Sequence, residues 1–378
     1  MEYRRLGRTG LEVSAIGLGT EYLINQPKDK VVEVIHEALA RGVNYFDLFF
    51  AQPQFRDNMS AAFAGKRDKA ILAAHLGAID VNGQYDKTRD NAVAEKFFLD
   101  FLKRYKTDYA DVLYVHNSDD QADYDKVMSK EGLLGMAKRY RKAGKARSIA
   151  FSGHTVATSL AAVESGEIDC LMFPINLAGN AVPGKKDLFA ACVKHDVGLV
   201  SMKPYAGGKL LADWQETEMD KWLLGAGKKK LTRSKAATPV QCISYILAQV
   251  GVSTVVPGCK DLDELAAALA WVDATSEERD FSDIVADFRE YVAGECVYCN
   301  HCLPCPSNID IGQTIRLYET AKRRPTPEII AAYDAMPTNA SDCGSCGACV
   351  ERCPFSVDTA VMMTQAAEYF ASINREEV

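Results

Sequence analysis

Asp111-Val112-Leu113-Tyr114-Val115, with His116-Asn117 directly behind it, is the fourth of eight short apolar runs that alternate with amphipathic stretches from residue 15 onward. Eight strand-helix pairs is the number that closes a parallel barrel. The other candidate strands are Ala15 to Gly19, Tyr45 to Asp47, Ala70 to Ala74, Ser148 to Ser152, Cys170 to Ile175, Gly198 to Met202 and Thr254 to Pro257. Between them, Lys28 to Ala40 places Val31, Val32, Ile35 and Leu39 on one helical face, and Arg89 to Leu102 carries a second helical pattern. Gly42 and Gly144 stand where helices should stop, and Thr238-Pro239 reads as a cap followed by Pro at the first helical position. Parallel strands joined by helices imply a sheet covered on both faces. The expected architecture is therefore α/β, a (β/α)8 TIM barrel, with a doubly wound open sheet as the alternative. Tyr3 to Ser14 reads as a hairpin turning at Gly7 to Gly10, set to plug the N-terminal end of the barrel.

At 378 residues the chain has room for about two domains. Its 48% hydrophobic and 25% charged residues suit an ordinary globular protein with a full core. It has no apolar run long enough for a membrane span, and Met1-Glu2-Tyr3-Arg4-Arg5 leads into no signal-peptide core, so no membrane partner and a cytoplasmic location are expected. A net charge of -7 argues against nucleic acid. The basic run Lys228-Lys229-Lys230 reads as a solvated loop.

Eight of the twelve cysteines stand in two rows: Cys296-x2-Cys299-x2-Cys302-x2-Cys305-Pro306 and Cys343-x2-Cys346-x2-Cys349-x3-Cys353-Pro354. Thiolates at i, i+3 and i+6 wrap one corner of an iron-sulfur cube, and a fourth ligand comes from elsewhere. Structural zinc usually takes two Cys pairs a long loop apart instead. The rows resemble those of bacterial dicluster ferredoxins, where the Cys before Pro serves the opposite cluster. That resemblance assigns Cys296, Cys299, Cys302 and Cys353 to one 4Fe-4S cluster, and Cys343, Cys346, Cys349 and Cys305 to a second. The first row departs from the usual spacing by closing with x2 rather than x3. Two helices, Ile311 to Arg323 and Pro327 to Ala335, fit between the rows, so a small, mainly helical ferredoxin-like domain is expected. The implied division is a barrel over residues 1–275, a linker over 276–290 and a cluster domain over 291–378, closed by a helix from Asp358 to about Ile373. His301, between two ligands, is placed to tune a cluster or simply to face solvent. The remaining cysteines, Cys170, Cys192, Cys242 and Cys259, read as buried small hydrophobes.

The barrel segments resemble the aldo-keto reductase family, in its branch with a C-terminal dicluster module. The resemblance rests on Tyr3 to Thr20, Val43-Asn44-Tyr45-Phe46-Asp47, Asp108 to Asn117 and Lys203-Pro204-Tyr205-Ala206-Gly207-Gly208. It implies an Asp, Tyr, Lys and His set at the C-terminal ends of the strands. The Tyr gives a proton to a carbonyl that receives hydride from NADPH. Asp47 matches the Asp and His116 the His, but Gln52 stands where the Tyr belongs and His75 where the Lys belongs. Gln52 has no proton to give. Tyr22, after the first strand, is the nearest replacement donor by topology. The cofactor pocket departs as well. Ser152 remains at a carboxamide-holding position and Gly258-Cys259-Lys260 keeps a phosphate-friendly loop. Pro174, Met202 and Ala267-Ala268 replace residues that relatives use to hold the coenzyme. NADP(H) binding therefore stays open, and no flavin fingerprint is visible.

Asp47, His75 and His116 should converge at adjacent strand ends as an acid-base cluster, with His154 nearby and Lys203 offering charge to an anionic substrate. The same trio also has the composition of a two-His, one-carboxylate metal site. Arg56 reads as a substrate contact or an exposed ion pair. The expected function is an iron-sulfur oxidoreductase, exchanging electrons between two 4Fe-4S clusters and a small molecule at the barrel mouth. A reduced ferredoxin or flavodoxin would be its outside partner. NADPH-linked carbonyl reduction and a non-catalytic electron-transfer or scaffold role are the alternatives.

Overall fold

A computed structural model describes residues 1–177, 184–212, 236–282, 296, 300, 302–323, 325, 327–353 and 357–373. Strands β3 (Leu18–Gly19), β4 (Tyr45–Leu48), β5 (Ile71–Leu76), β8 (Ala110–Val115), β9 (Ala146–Ser152), β10 (Cys170–Pro174), β11 (Gly198–Met202) and β12 (Val252–Val255) form one parallel sheet in that order. Bridges Ile16 to Val255 and Gly19 to Gly258 join its two edges, with Gly17 N–H on Val255 O at 2.8 Å and Gly19 N–H on Pro257 O at 2.9 Å. The sheet therefore closes, and the open-sheet alternative is set aside. Every expected strand is found within three residues of its expected ends.

Hairpin β1 (Tyr3–Arg5) and β2 (Glu12–Ser14) lies under the barrel, in register Tyr3 to Ser14 and Arg5 to Glu12. Its turn drives Leu6 into the interior among Tyr45, Val112, Tyr114 and Val200, where it is fully buried. Burying a leucine contributes about 1.5–3 kcal/mol. Arg8 fixes the turn by donating to Asp169 Oδ1 at 3.0 Å and to Gly166 O at 2.8 Å, both on the chain entering β10.

The helices surround this cylinder. Lys28–Ala40 buries Val31, Val34, Ile35 and Ala38, so the inward face is turned from the expected one and Val32 and Leu39 lie on its half-buried flank. Thr238 caps Pro239–Leu247 in a capping box with Gln241. The helix expected from Arg89 begins instead at Asn91, because Asp90 caps it by accepting Val93 N–H and Arg89 belongs to what precedes.

That preceding element is a second hairpin, β6 (Ala78–Val81) and β7 (Gln84–Lys87), inserted after the third barrel strand. Its turn is Asn82-Gly83 with φ of 53° and 84°, the left-handed pair of a two-residue hairpin loop. Gly77, at φ 99°, turns the chain out of β5, and a Cβ there would lie 2.8 Å from Leu133 Cδ1. Gly77 O then accepts Thr88 N–H at 2.8 Å and closes the hairpin's base.

Beyond the barrel, Ser276–Arg279 is a short helix capped by Thr275, so the start of the expected linker is ordered against Trp271 through Arg279. Helices Ile311–Arg323, Pro327–Asp334 and Thr359–Ser372 build a second apolar core around Ile315, Tyr333, Met363 and Phe370. Among the described residues, no helix is long and apolar enough to cross a membrane.

Candidate active site

Asp47 and His75 sit one residue before the ends of β4 and β5 and His116 follows β8, so three neighbouring strands deliver them to the C-terminal mouth. They form a line of hydrogen bonds. His75 Nε2 is 2.8 Å from Asp47 Oδ1, and His75 Nδ1 is 2.8 Å from His116 Nδ1. His116 Nε2 in turn meets the hydroxyl of Tyr85 at 2.6 Å. Tyr85 comes from β7, where strand alternation turns it inward while Gln84 turns out. The four residues are between 3 and 8% exposed. Phe49 covers them, its ring centroid 5.7 Å from Tyr85 and 6.2 Å from His116, and Tyr114 stacks beneath His75 at 4.7 Å.

Burial first, then the neighbouring His75, Arg89, Lys87 and His154, push the His116 imidazole well below its ordinary range. His116 is therefore neutral near pH 7. Arg89 holds the backbone of this corner. It donates to Asp123 through two nitrogens at 2.7 and 2.6 Å and to His116 O at 2.9 Å. Beside it, His154 Nδ1 lies 3.0 Å from Asp119 Oδ2. Burial pushes Asp119 up, but His154 outweighs it and holds the carboxyl below the usual range, while burial lowers His154 despite that partner. Across the mouth, burial raises Glu21, Lys203 opposes the rise and Asp47 adds to it.

Several sequence expectations change. Tyr22 lies over the loop after β12, so close that a Cβ on Gly258 would fall 2.6 Å from its ring, whereas the phenol that meets the histidines is Tyr85. The signal for Tyr85 was present: Asn82-Gly83 between Ile79-Asp80-Val81 and Gln84-Tyr85 is a strong hairpin signature. What no pattern announced is that this hairpin folds back over the mouth. Gln52 precedes the helix Pro53–Phe63 and donates to Asn25 Oδ1 at 3.2 Å, away from the relay. Arg56 is buried rather than exposed, and it ties Asp100 and Phe97 O to its own helix at 2.9 and 2.8 Å. Asp47, His75 and His116 bond to one another in sequence, and no group of three or more His, Cys, Asp or Glu among the described residues is arranged to hold a single metal ion.

In the expected coenzyme region, Ser152 Oγ accepts Asn117 N–H at 2.9 Å and Lys203 O accepts Asn176 Nδ2–H at 3.0 Å. Lys260 is held by Glu264 at 2.6 Å, and Glu264 and Asp261 accept the Lys260 and Glu264 amides at 2.9 Å. The Lys260 and Glu264 amides at this turn thus already have carboxylate partners. Cys170, Cys192, Cys242 and Cys259 are buried as expected.

Of the second core's cysteines, Cys302, Cys305, Cys343, Cys346 and Cys349 line a single cavity. Cys353 Sγ accepts Val357 N–H at 3.4 Å, and Cys296 is half-buried. Cys299, His301, Pro354 and the run Lys228-Lys229-Lys230 lie outside the described residues. Gln84 joins the two cores. Its Oε1 accepts Cys305 N–H at 3.1 Å, and its Nε2 donates to Cys305 O at 3.3 Å and to Asn308 Oδ1 at 2.6 Å.

A closed eight-stranded barrel with an acid-base line at its C-terminal mouth defines the class. The chain belongs to the aldo/keto reductase family, whose model matches residues 15–286, and it is an oxidoreductase of that family. It is similar to the L-galactose dehydrogenase of Arabidopsis thaliana, with 26% identity over 291 residues, 72% of this chain and 88% of that protein. The uncharacterized oxidoreductase YqkF of Bacillus subtilis is 23% identical over 290 residues, 70% of this chain and 89% of the relative. In fold, the chain resembles the holo form of aldo-keto reductase AKR11C1 from Bacillus halodurans, with a TM-score of 0.60 at 23% identity, covering 77% of this chain and 97% of that one.

Proposed function

We propose that this protein is an iron-sulfur oxidoreductase in which a barrel over residues 1–275 carries proton transfer by Asp47, His75 and His116, and residues 291–378, after a linker at 276–290, carry two 4Fe-4S clusters. The observation that supports it most is the cavity lined by Cys343, Cys346 and Cys349 of one row together with Cys302 and the Cys-Pro cysteine Cys305 of the other, so that the two rows meet there. That crossed set fits a dicluster module and not a zinc site built from two pairs. A cube also spreads its thiolates wider than a single ion would, so a set that suits no single ion can still suit a cluster. Cys296, Cys302 and Cys353, with Cys299, would hold the other cluster.

When bound, such clusters supply electrons one at a time. The barrel's part is to hold a small-molecule substrate beneath Phe49 and to move protons. Lys203 offers positive charge to an anionic substrate. The crowded carboxylates at Lys260 disfavour a nicotinamide phosphate and favour an outside donor, a ferredoxin or flavodoxin; a flavin is not required. A location in the reducing cytoplasm suits thiolate-ligated clusters.

Family membership by itself favours a second reading, NADPH-linked carbonyl reduction, with Ser152, Lys203, Gly258 and Lys260 at the coenzyme. Anaerobic purification followed by absorbance spectroscopy separates the two. The first reading expects brown protein containing iron and acid-labile sulfide, bleached by a low-potential donor and not by NADPH. Colourless, iron-free protein that oxidises NADPH with simple aldehydes would establish the second.

A further inference from the structure

Gln84 and Tyr85 are neighbours on β7, so strand alternation turns their side chains to opposite faces of the hairpin. On one face the Tyr85 hydroxyl lies 2.6 Å from His116 Nε2, and on the other Gln84 closes on the peptide of Cys305. We propose, resting on the iron-sulfur reading above, that Gln84 is a positioning residue for the cluster held by Cys305, Cys343, Cys346 and Cys349. It makes that cluster the one facing the barrel mouth, and it keeps the cluster's potential low by occupying the Cys305 amide.

The peptide between Pro304 and Cys305 has both of its polar groups taken by side chains from distant parts of the chain. Pro304 O accepts Arg352 Nη1–H at 2.6 Å, and Cys305 N–H donates to Gln84 Oε1 at 3.1 Å. The next carbonyl is held as well. Cys305 O accepts Gln84 Nε2–H at 3.3 Å and Asn308 N–H at 2.9 Å, while Gln84 Nε2 also donates to Asn308 Oδ1 at 2.6 Å. A primary amide that both donates to and accepts from one residue's backbone fixes its direction as well as its distance. A methionine of similar length would fix neither.

From Cys305 the way to the mouth is short: a hydrogen bond to Gln84, one backbone step to Tyr85, and the hydroxyl contact to His116. A second tie, Lys209 Nζ to Glu319 Oε2 at 3.3 Å, joins the segment after β11 to helix Ile311–Arg323. Ties after the third and the seventh barrel strands thus hold the second core on the mouth side of the barrel. The first of them grips the backbone of a cluster ligand.

Hydrogen bonds to the sulfurs and exposure to water set the potential of an iron-sulfur cluster. An N–H turned toward sulfur eases the arrival of the negative charge that an electron brings, and so raises the potential. Gln84 holds the Cys305 N–H elsewhere. Removing the amide frees that N–H and admits water at the same place, and both changes act upward.

Anaerobically purified full-length Gln84→Met, checked by circular dichroism and iron analysis, tests the amide. In a potentiometric titration followed by electron paramagnetic resonance, one cluster should titrate at a higher potential and the other at its wild-type value. Gln84→Asn, which keeps a shorter amide, should move the same cluster by less. Adding Gln84→Met to Cys346→Ser protein, which retains the other cluster, should move nothing. Two unshifted potentials, or a shift that persists beside Cys346→Ser, overturn the role of Gln84. The order of the clusters is read by magnetic resonance of isotope-labelled histidine in dithionite-reduced protein, with His116 assigned through His116→Gln. Unpaired electrons should broaden the His116 signal in wild type and in Cys296→Ser but not in Cys346→Ser. Broadening that survives Cys346→Ser, or is lost in Cys296→Ser, overturns the order. Wild-type protein free of iron fails the iron-sulfur reading itself, whereas these failures in iron-loaded protein leave that reading standing and end the proposal alone.

Discussion

The two hairpins of this chain sit at opposite ends of one barrel and do opposite work. β1–β2 inserts a leucine under the barrel, where only shape and dryness matter. β6–β7 bends over the mouth and inserts a phenol into a line of titratable groups. The first hairpin is held by backbone pairing and by Arg8 on the entry to β10, the second by a glycine exit, a bidentate arginine and a glutamine clamped on another core. The same local element is thus a seal where its inward residue is apolar and a chemical arm where that residue is polar and partnered.

Removing Arg89 should damage the upper arm most. Arg89→Ala leaves Asp123 partly buried without its guanidinium, and losing one partner of such a pair costs about 3–5 kcal/mol. Chemical denaturation followed by fluorescence should show that loss, with Tyr85 displaced as well. Leu6→Ala should cost about 2–5 kcal/mol through the cavity it leaves. Its thermal midpoint should fall while amide exchange at Cys305, beside the upper hairpin, stays where it was; a change there would mean the two ends are not independent.

A smaller effect concerns acid. His116 has a lowered folded-state pKa, so the unfolded chain, titrating near about 6.5, binds the proton more readily than the fold does. Its contribution to stability is whole above that pH and is lost as pH falls below it toward the lowered value. His116→Gln should flatten the stability profile in that window. Gln84→Ala should be mildest, about 1 kcal/mol, seen as faster amide exchange at Cys305 with little change in thermal midpoint. If exchange at Cys305 did not change, the clamp between the cores would be idle.

Iron chemistry tests the contrast between the two cores. Cys346→Ser, on an exposed position of the cysteine cavity, should remove roughly half of the iron and leave the pH profile set by His116 intact. Iron analysis beside chemical denaturation across that pH window checks both.

The barrel could be read in advance because its strands are fully buried, and full burial writes continuous apolar runs such as Asp111 to Val115 into the sequence. Asp47, His75 and His116 were legible for a related reason: a polar residue at the end of such a run has the mouth as its place. Tyr85 was not, because Ala78 to Lys87 reads as a local hairpin and its destination depends on contacts distant in sequence, to His116 and to Cys305. The inward face of Lys28–Ala40 was misjudged by part of a turn since Val31, Val32, Val34 and Ile35 all suit either edge of the stripe. Arg56 was misjudged since its partner Asp100 lies on another helix.

By itself the sequence determined the number and order of the strands, the two cysteine rows and three of the polar groups at the mouth. These depend on periodicity and spacing, which are properties of neighbours along the chain. Only the tertiary structure decided which phenol completes the line, that the line is continuous from carboxylate to hydroxyl, and that Cys305 shares a cavity with the other row. Hydrogen bonds act over about 3 Å, and no pattern along the chain specifies a meeting of that precision between residues tens or hundreds of positions apart.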